Sequence, residues 1–596
     1  MRHVYGTKFL GWLFMALSVL LKPAGPALAD LPYKVEFSVL GDSELLETLK
    51  DASLLRAEEN RPPPTESALR RRVDRDAEQL RNVIRSEGYY DAGLDAEIDL
   101  DAIPARVLIA VEPGPRYSLA NVSLVGPSGG ALEGVDLSLK EIGLELGAPA
   151  RSAAVFSAEQ KTTLRLAEQG YPLARVPDRK VIVDHKSRTM SVTYVVDPGP
   201  RADFGEPRIS GNRDVETSYI ENRLSWRRGS RFDLRELEET RKRLIRSELF
   251  NSVKLVPADA VGPDGTIAIL IEVAERKSRS VSAGVNWSSS EGFGVEASWE
   301  HRNMAGHGES LKTTATLSQV LIGANAFLRL PDAVRRDLDV VGTAAIERED
   351  TEAFTSERIA TSAGLEQRFS SSLSVGLSLS LALEKDDDDD GEDTFTLIGL
   401  PGYLRYDGTD DLLDPTEGAR ASVFVTPYYA LFAETDSFLR SEAIGSAYYA
   451  IDEDARYVLA ARGRLGTIWG AGREELPASV RFYAGGGGSI RGYGFQQVGP
   501  LDEDNDPLGG RSVIEFGGEM RVRITDTIGI VPFIEGGNVY VDTLPEVVDF
   551  DFRYGAGLGL RYYTAIGPLR LDVAVPLDRR ETDDAFQFYI SLGQAF

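Results

Sequence analysis

Between residues 279 and 596 the chain gives up helical spacing and alternates. Val281, Ala283, Val285 and Trp287 share one face, with Ser282, Gly284 and Asn286 between them. Leu569, Leu571, Val573 and Val575 alternate with Arg570, Asp572 and Ala574. Phe586, Phe588, Ile590 and Leu592 carry the pattern on toward Phe596. A period of two is a β-strand with two unlike faces. Charge decides what each face meets. An arginine near the bilayer midplane on a lipid face costs about 2–4 kcal/mol. Arg570 and Asp572 are therefore assigned to a polar interior, and the leucines and valines to lipid. Strands that cross a membrane have to close on themselves, because an open edge strands N–H and C=O groups in hydrocarbon. One crossing takes about 9–11 residues. Sixteen strands at roughly 20 residues each, connections included, suit this length. The expectation for 278–596 is a transmembrane antiparallel β-barrel of sixteen strands. A soluble β-sandwich is the competing reading, and the length and the features of the first 29 residues weigh against it.

Arg2 and Lys8 precede an apolar run over 9–21, followed by Ala27-Leu28-Ala29. This reads as an export signal, 1–29, cleaved after Ala29. The run is too short for a spanning helix, which needs about 20 apolar residues. Cysteine is absent, which excludes disulfides and thiolate metal sites. The histidines are four, His3, His185, His301 and His307, and the first falls in the signal. A net charge of −27 argues against nucleic acid as a partner. No metal, no cofactor and no enzymatic activity is expected. Gly126-Pro127-Ser128-Gly129-Gly130 matches a serine-nucleophile pattern in letters only, since that motif requires a strand-to-helix turn. The acidic run 386–390 reads as an exposed loop tip, and its spacing matches no calcium loop.

The first half repeats. Val111-Glu112-Pro113-Gly114-Pro115 returns as Val196-Asp197-Pro198-Gly199-Pro200, and Gly88-Tyr89 as Gly170-Tyr171. A weaker third copy has Leu249-Phe250 and Ile271-Glu272-Val273. Self-similarity at a fixed period means tandem copies of one fold. A helix precedes each Gly-Tyr or Leu-Phe element. Leu69, Val73, Ala77, Leu80 and Ile84 fall on one helical face. Ser157 and Gln160 have capping-box spacing ahead of Leu164 and Ala167. Asp233 and Glu236 open a third helix with Leu237, Leu244 and Ile245. Two short strands are expected after each helix. Three small α+β domains follow, over 30–113, 114–199 and 200–277.

The strongest local signal is Gly485-Gly486-Gly487-Gly488-Ser489-Ile490-Arg491-Gly492-Tyr493. Its four glycines and apolar-Arg-Gly-aromatic core resemble the inward-folded loop of the outer-membrane assembly and secretion superfamily, which includes BamA, TamA and the two-partner secretion transporters. Phe533-Ile534-Glu535-Gly536-Gly537 resembles that family's Phe-x-Asp-x-Gly strand, with glutamate in place of aspartate. Asp414-Pro415-Thr416-Glu417-Gly418 resembles a common turn before a barrel strand, and the Phe-ended final strand resembles an assembly signal. The three amino-terminal units resemble POTRA domains. Three of them before a barrel of this length is similar to the TamA branch. Gly292-Phe293-Gly294 and the Ala297-Ser298-Trp299-Glu300-His301-Arg302-Asn303 stretch resemble that branch's first hairpin.

Two kinds of expectation follow. From the residues, an arginine in a glycine loop precedes strands bearing Glu519 and Glu535, so Arg491 is expected to reach Glu535 first and Glu519 second through charge-assisted hydrogen bonds. Gly492 permits close backbone approach, and Tyr493 is expected to pack on Phe533. The resemblance adds Gly537 to this set. The resemblance implies a factor that inserts β-barrel proteins such as autotransporters. It also implies POTRA domains in the periplasm and a TamB-like, inner-membrane-anchored partner. The working part is expected to be a lateral seam between Ser280, Val281, Ser282, Ala283 and Val285 of the first strand and Phe588, Ile590, Leu592, Gly593 and Phe596 of the last. Gly593 is expected to weaken or bend that last strand. Its partners are then nascent clients and the lipid bilayer. The alternative is a POTRA-barrel pore that exports one dedicated protein.

Overall fold

The structure, a computed structural model, describes residues 30–132, 134–388, 391–431, 436–545, 551–564 and 567–595. The expected export signal and Phe596 lie outside the described residues.

Among the described residues, three three-stranded sheets precede the barrel in the chain, each ordered first-third-second. The first comprises Tyr33–Val39, Gly93–Asp99 and Ala105–Glu112. The second comprises Ser118–Val125, Arg175–Asp184 and Thr189–Asp197, and the third Asp203–Ser210, Phe250–Pro257 and Thr266–Glu275. In the first two, the central strand runs parallel to the opening strand and antiparallel to the other. The opening strand of each sheet was not expected. It is short, and its alternation is too brief to stand out beside a long helix.

The helix Glu66–Ser86 starts where Thr65 accepts a hydrogen bond from the Ala68 N–H, and it buries Leu69, Val73, Ala77, Leu80 and Ile84. These side chains cover the face of the first sheet that carries Val107, Ile109 and Val111. The second helix corrects the capping expectation. It runs Ser152–Glu168, so Ser157 lies inside it. Its buried face is Val155, Ala158, Thr162 and Leu166, while Leu164 is exposed. In the third helix, Leu234–Arg246, Leu237 and Leu244 are buried and Ile245 is exposed.

One buried charge organises the first domain. Asp76 is 1% exposed, on the core face of its helix. It accepts from the Ser53 hydroxyl and the Leu54 N–H, both at 2.7 Å. The acid therefore fixes the loop between the helices Ser43–Ala52 and Leu54–Ala57. Asp76→Ala leaves a buried hydroxyl and N–H without an acceptor. The expected loss is about 1–3 kcal/mol of local stability. It should appear as faster hydrogen exchange over 43–57, with the barrel unchanged.

The barrel runs in sequence order from Arg279–Ser288 to Gln587–Leu592 and closes first strand on last. Gly391–Gly399 and Gly402–Asp407 are two pieces of one strand, since both pair with Leu373–Asp388 and with Gly418–Leu431. The break falls at Leu400-Pro401, where proline has no N–H for the ladder. The strand count is therefore sixteen. Leu569, Leu571, Val573 and Val575 are exposed outward, and Arg570, Asp572 and Ala574 are buried inward. The acidic run does not begin as a loop tip, since its residues 386–388 are part of a strand. The strand Leu373–Asp388 continues through Asp386, which faces inward at 3% exposure. Only alternate residues of a strand face outward, so an acidic run can continue a strand whose inner face is polar. Asp389 and Asp390 lie outside the described residues.

Candidate functional site

The long connection 470–511, between Tyr457–Trp469 and Ser512–Arg523, folds back against the inner wall. The chief anchor of its tip is one side chain. Arg491 is fully buried. Its Nε donates to Glu535 Oε2 at 2.9 Å and its Nη2 to Glu535 Oε1 at 2.9 Å, the two-pronged geometry that favours arginine over lysine. Nη2 also donates to Glu519 Oε1 at 2.8 Å, and Nη1 to Asp572 Oδ2 at 2.6 Å. The Arg491 N–H donates to Glu535 as well, at 2.8 Å. Three wall strands thus converge on one guanidinium.

The acids are shared with further arginines. Arg462 pairs with Glu535 at 3.0 Å, Arg521 with Glu519 at 3.4 Å, and Arg561 and Arg570 with Asp572. Each carboxylate therefore has more than one cation beside it, which offsets the cost of holding it away from water.

The other motif residues fit around this anchor. Ile490 is fully buried and packs with Phe482, Val513 and Val539. Gly537 gives it room, since a Cβ there would lie 3.1 Å from the Ile490 Cδ1 and 2.2 Å from the Ile514 oxygen. Gly492 has φ +104°, and a Cβ on it would stand 2.7 Å from the Val575 carbonyl carbon. Phe533 does not receive Tyr493. Its ring lies under Arg491, with the guanidinium carbon 3.4 Å from the centroid, a cation–π contact. Tyr493 instead donates to the Tyr554 carbonyl at 3.3 Å. The arginine outcompetes the tyrosine for this ring because Glu519 and Glu535 place its cation directly above it.

The loop also touches the last strand. The Gly492 N–H donates to the Tyr589 hydroxyl at 3.1 Å, and that hydroxyl donates to the Tyr493 carbonyl at 3.4 Å. Tyr589 stands at the seam, and the seam is short. The first strand pairs with Gly292–His301 over ten positions, but with the last strand only at Trp287↔Ile590 and Ser288↔Tyr589. The Ser289 N–H adds one bond to the Phe588 carbonyl at 3.0 Å. On its other side the last strand pairs with Gly567–Pro576 at six positions. Ser280, Val281, Ser282, Ala283 and Val285 were expected to line the contact. They carry no pairing to the last strand, and Val281, Ser282, Ala283 and Val285 are exposed. Part of the reason lies at Gly593: in the register of Trp287↔Ile590, Ala283 and Ser282 fall opposite residues beyond it. Its φ of +94° turns the chain off the sheet after Leu592, and its N–H bonds to the Pro568 carbonyl at 2.8 Å.

Comparison with known proteins places this architecture. Residues 303–596 match the Omp85 superfamily domain, and residues 202–276 match the POTRA model, described as a surface antigen variable number repeat. The barrel half of the chain belongs to the Omp85 superfamily. It is 25% identical to the outer membrane protein assembly factor BamA of Nitratidesulfovibrio vulgaris over 547 residues, covering 88% of this chain and 68% of that protein. It is 21% identical to the same factor of Neisseria meningitidis serogroup B over 593 residues, covering 87% and 72%. The crystal structure of Haemophilus ducreyi BamA lacking POTRA domains 1–3 superposes with a TM-score of 0.66 at 20% identity, covering 80% of this chain and 100% of that one. This chain is thus an outer-membrane β-barrel protein, with its POTRA portion in the periplasm.

Sequence reasoning missed Asp572 as a partner of Arg491, and it missed Arg462 and Arg561 altogether. The inward face of Asp572 was readable, but its nearness to the loop was not. The two lie 81 residues apart and meet only because the barrel wraps.

Proposed function

We propose that this Omp85 protein is a TamA-like assembly factor. It admits client β-strands at the seam between Arg279–Ser288 and Gln587–Leu592, working with a TamB-like, inner-membrane-anchored periplasmic partner. Autotransporters are among the clients this reading expects. One observation carries it: the first strand is paired along ten positions on one side and at two on the other. In hydrocarbon each unpaired backbone group costs several kcal/mol. A client strand that adds to the edge at Ser280, Val281, Ser282, Ala283 and Val285 relieves that cost through main-chain bonds. The loop motif Ile490, Arg491, Gly492 and Tyr493, held by Glu535, Glu519, Phe533 and Gly537, steadies the wall beside the gap. The TamA-like branch is favoured by three sheet-and-helix units over 30–113, 114–199 and 200–277, ahead of a barrel over 278–596.

The test is the outer-membrane proteome after deletion of the gene. A fall in several β-barrel proteins, autotransporters included, is the expected result. Loss of a single secreted protein, with the barrel proteins at normal abundance, would make this chain a dedicated secretion pore.

A further inference from the structure

The turn 408–417, between Gly402–Asp407 and Gly418–Leu431, lies at the end of the barrel where the chain enters at Arg279. It does not stay beside its own strands. Its Pro415 carbonyl accepts from Arg521 Nη1 at 3.0 Å, and its Asp414 Oδ2 accepts from Arg523 Nη2 at 3.0 Å. Both arginines belong to Ser512–Arg523. Leu413 reaches farther, to within 3.6 Å of where a Gly567 Cβ would stand. Asp414 Oδ1 accepts from Gln594 Nε2 at 2.8 Å, and Gln594 Oε1 accepts from Arg561 Nε at 2.9 Å. Gln594 is the residue after Gly593, where the chain leaves the sheet. Its side chain is therefore gripped from both ends, by an acid of the turn and an arginine of the wall.

The turn is built to hold this position. Asp410 Oδ1 accepts from the Thr416 and Glu417 N–H groups at 2.9 and 3.0 Å, and Asp411 Oδ1 accepts from Leu413 and Asp414 at 2.7 and 2.9 Å. Burial raises the Asp410 carboxyl. Donation from the Thr416 hydroxyl and these N–H groups outweighs burial and holds it at about 2. A group depressed in this way stabilises the turn above the ordinary carboxylate range, and the support is lost only as pH falls toward 2. Asp410 and Asp411 thus keep the backbone of Asp414 in one place across the physiological range.

We propose that Asp414 is a positioning residue of the seam: by holding Gln594 inside the barrel it keeps the chain beyond Leu592 turned inward, and so limits first-to-last strand pairing to Trp287 and Ser288. This rests on the reading of the seam as the working edge, but its structural half can be tested without it. If the pairing register of Trp287↔Ile590 continues, Val285 comes opposite Leu592. With the chain's turn at Gly593 intact, that pair is not formed.

The experiment uses the full-length protein, which has no native cysteine. Val285→Cys and Leu592→Cys are combined with Asp414→Ala, and in a second background with Gln594→Ala. Oxidative crosslinking is read in outer membranes, and heat-modifiable mobility reports that the barrel has folded. The expected result is a low crosslink yield with Asp414 and Gln594 present, and a several-fold rise with either alanine. An unchanged yield in both folded variants would overturn the proposal, even if client assembly falls. A rise in yield with client assembly untouched would leave the latch standing and overturn the reading of the seam as the client edge.

Discussion

Arg491→Ala is expected to abolish most client assembly while the barrel still reaches and enters the outer membrane. The side chain makes hydrogen bonds to Glu535, Glu519 and Asp572 and rests on Phe533. Its removal breaks a buried, hydrogen-bonded ion cluster, and breaking one such pair costs about 3–5 kcal/mol. At about 1.4 kcal/mol per tenfold, that shifts the loop from docked to undocked by roughly a hundredfold or more. Arg462, Arg521, Arg561 and Arg570 remain to neutralise the three acids. The wall therefore survives, which separates loss of function from loss of fold. Arg491→Lys keeps the charge but cannot reach both Glu535 oxygens and Asp572 together, so it should fall between alanine and the parent. Two measurements check this. Heat-modifiable mobility of the protein itself should be normal, and protease added outside intact cells should now cut within 470–511. Client assembly at the parent level in Arg491→Ala would show that the docked loop is not needed.

The residues that could be read from the sequence are those whose role is local. Arg491, Glu519 and Glu535 were legible because a cation in a glycine loop preceded two alternating strands with acids on one face. The helical face of Leu69, Val73, Ala77, Leu80 and Ile84 was legible for the same reason, a period within a single element. The rest depends on what the fold brings together. Asp572 meets Arg491 across the barrel, and no spacing encodes that. Asp386 was misread because an acidic run looks solvated, while its strand turns this residue inward. Ser157 was misread because a capping pattern also occurs inside a helix that has already begun at Ser152. The register of the seam was hidden most deeply. Gly593 announced a bend, but the grip of Asp414 on Gln594 joins residues 180 positions apart. That grip continues through Arg561 to Asp572 and so to Arg491. The loop and the seam are parts of one polar network, and the sequence displayed only one end of it.

Locking the seam is the second large effect expected. The contact between first and last strands lies at Trp287↔Ile590 and Ser288↔Tyr589, not along Ser280, Val281, Ser282, Ala283 and Val285. Trp287 and Ile590 both point outward and are exposed, so a pair of cysteines there disturbs neither the loop nor Tyr589. Directly opposed residues bring Cβ atoms to about 4.5–5.5 Å, within small adjustment of the about 3.5–4.5 Å of a disulfide. Opening this seam breaks few backbone bonds, each worth about 0.5–1.5 kcal/mol net. A covalent bond raises that barrier beyond anything a client strand can supply. Oxidised Trp287→Cys, Ile590→Cys protein is therefore expected to show client insertion at the level of a gene deletion, and reduction should restore it. The matched control is Ala315→Cys with Ala324→Cys, exposed partners in the ladder between Ser310–Ser318 and Leu321–Arg335, which lies away from the seam and has no reason to open. Crosslinking there should leave activity intact, which removes oxidation itself as the cause. If the quantitatively crosslinked seam still inserts clients at the parent rate, strands do not enter between Arg279–Ser288 and Gln587–Leu592. Transport through the lumen as a secretion pore then becomes the reading that fits this barrel.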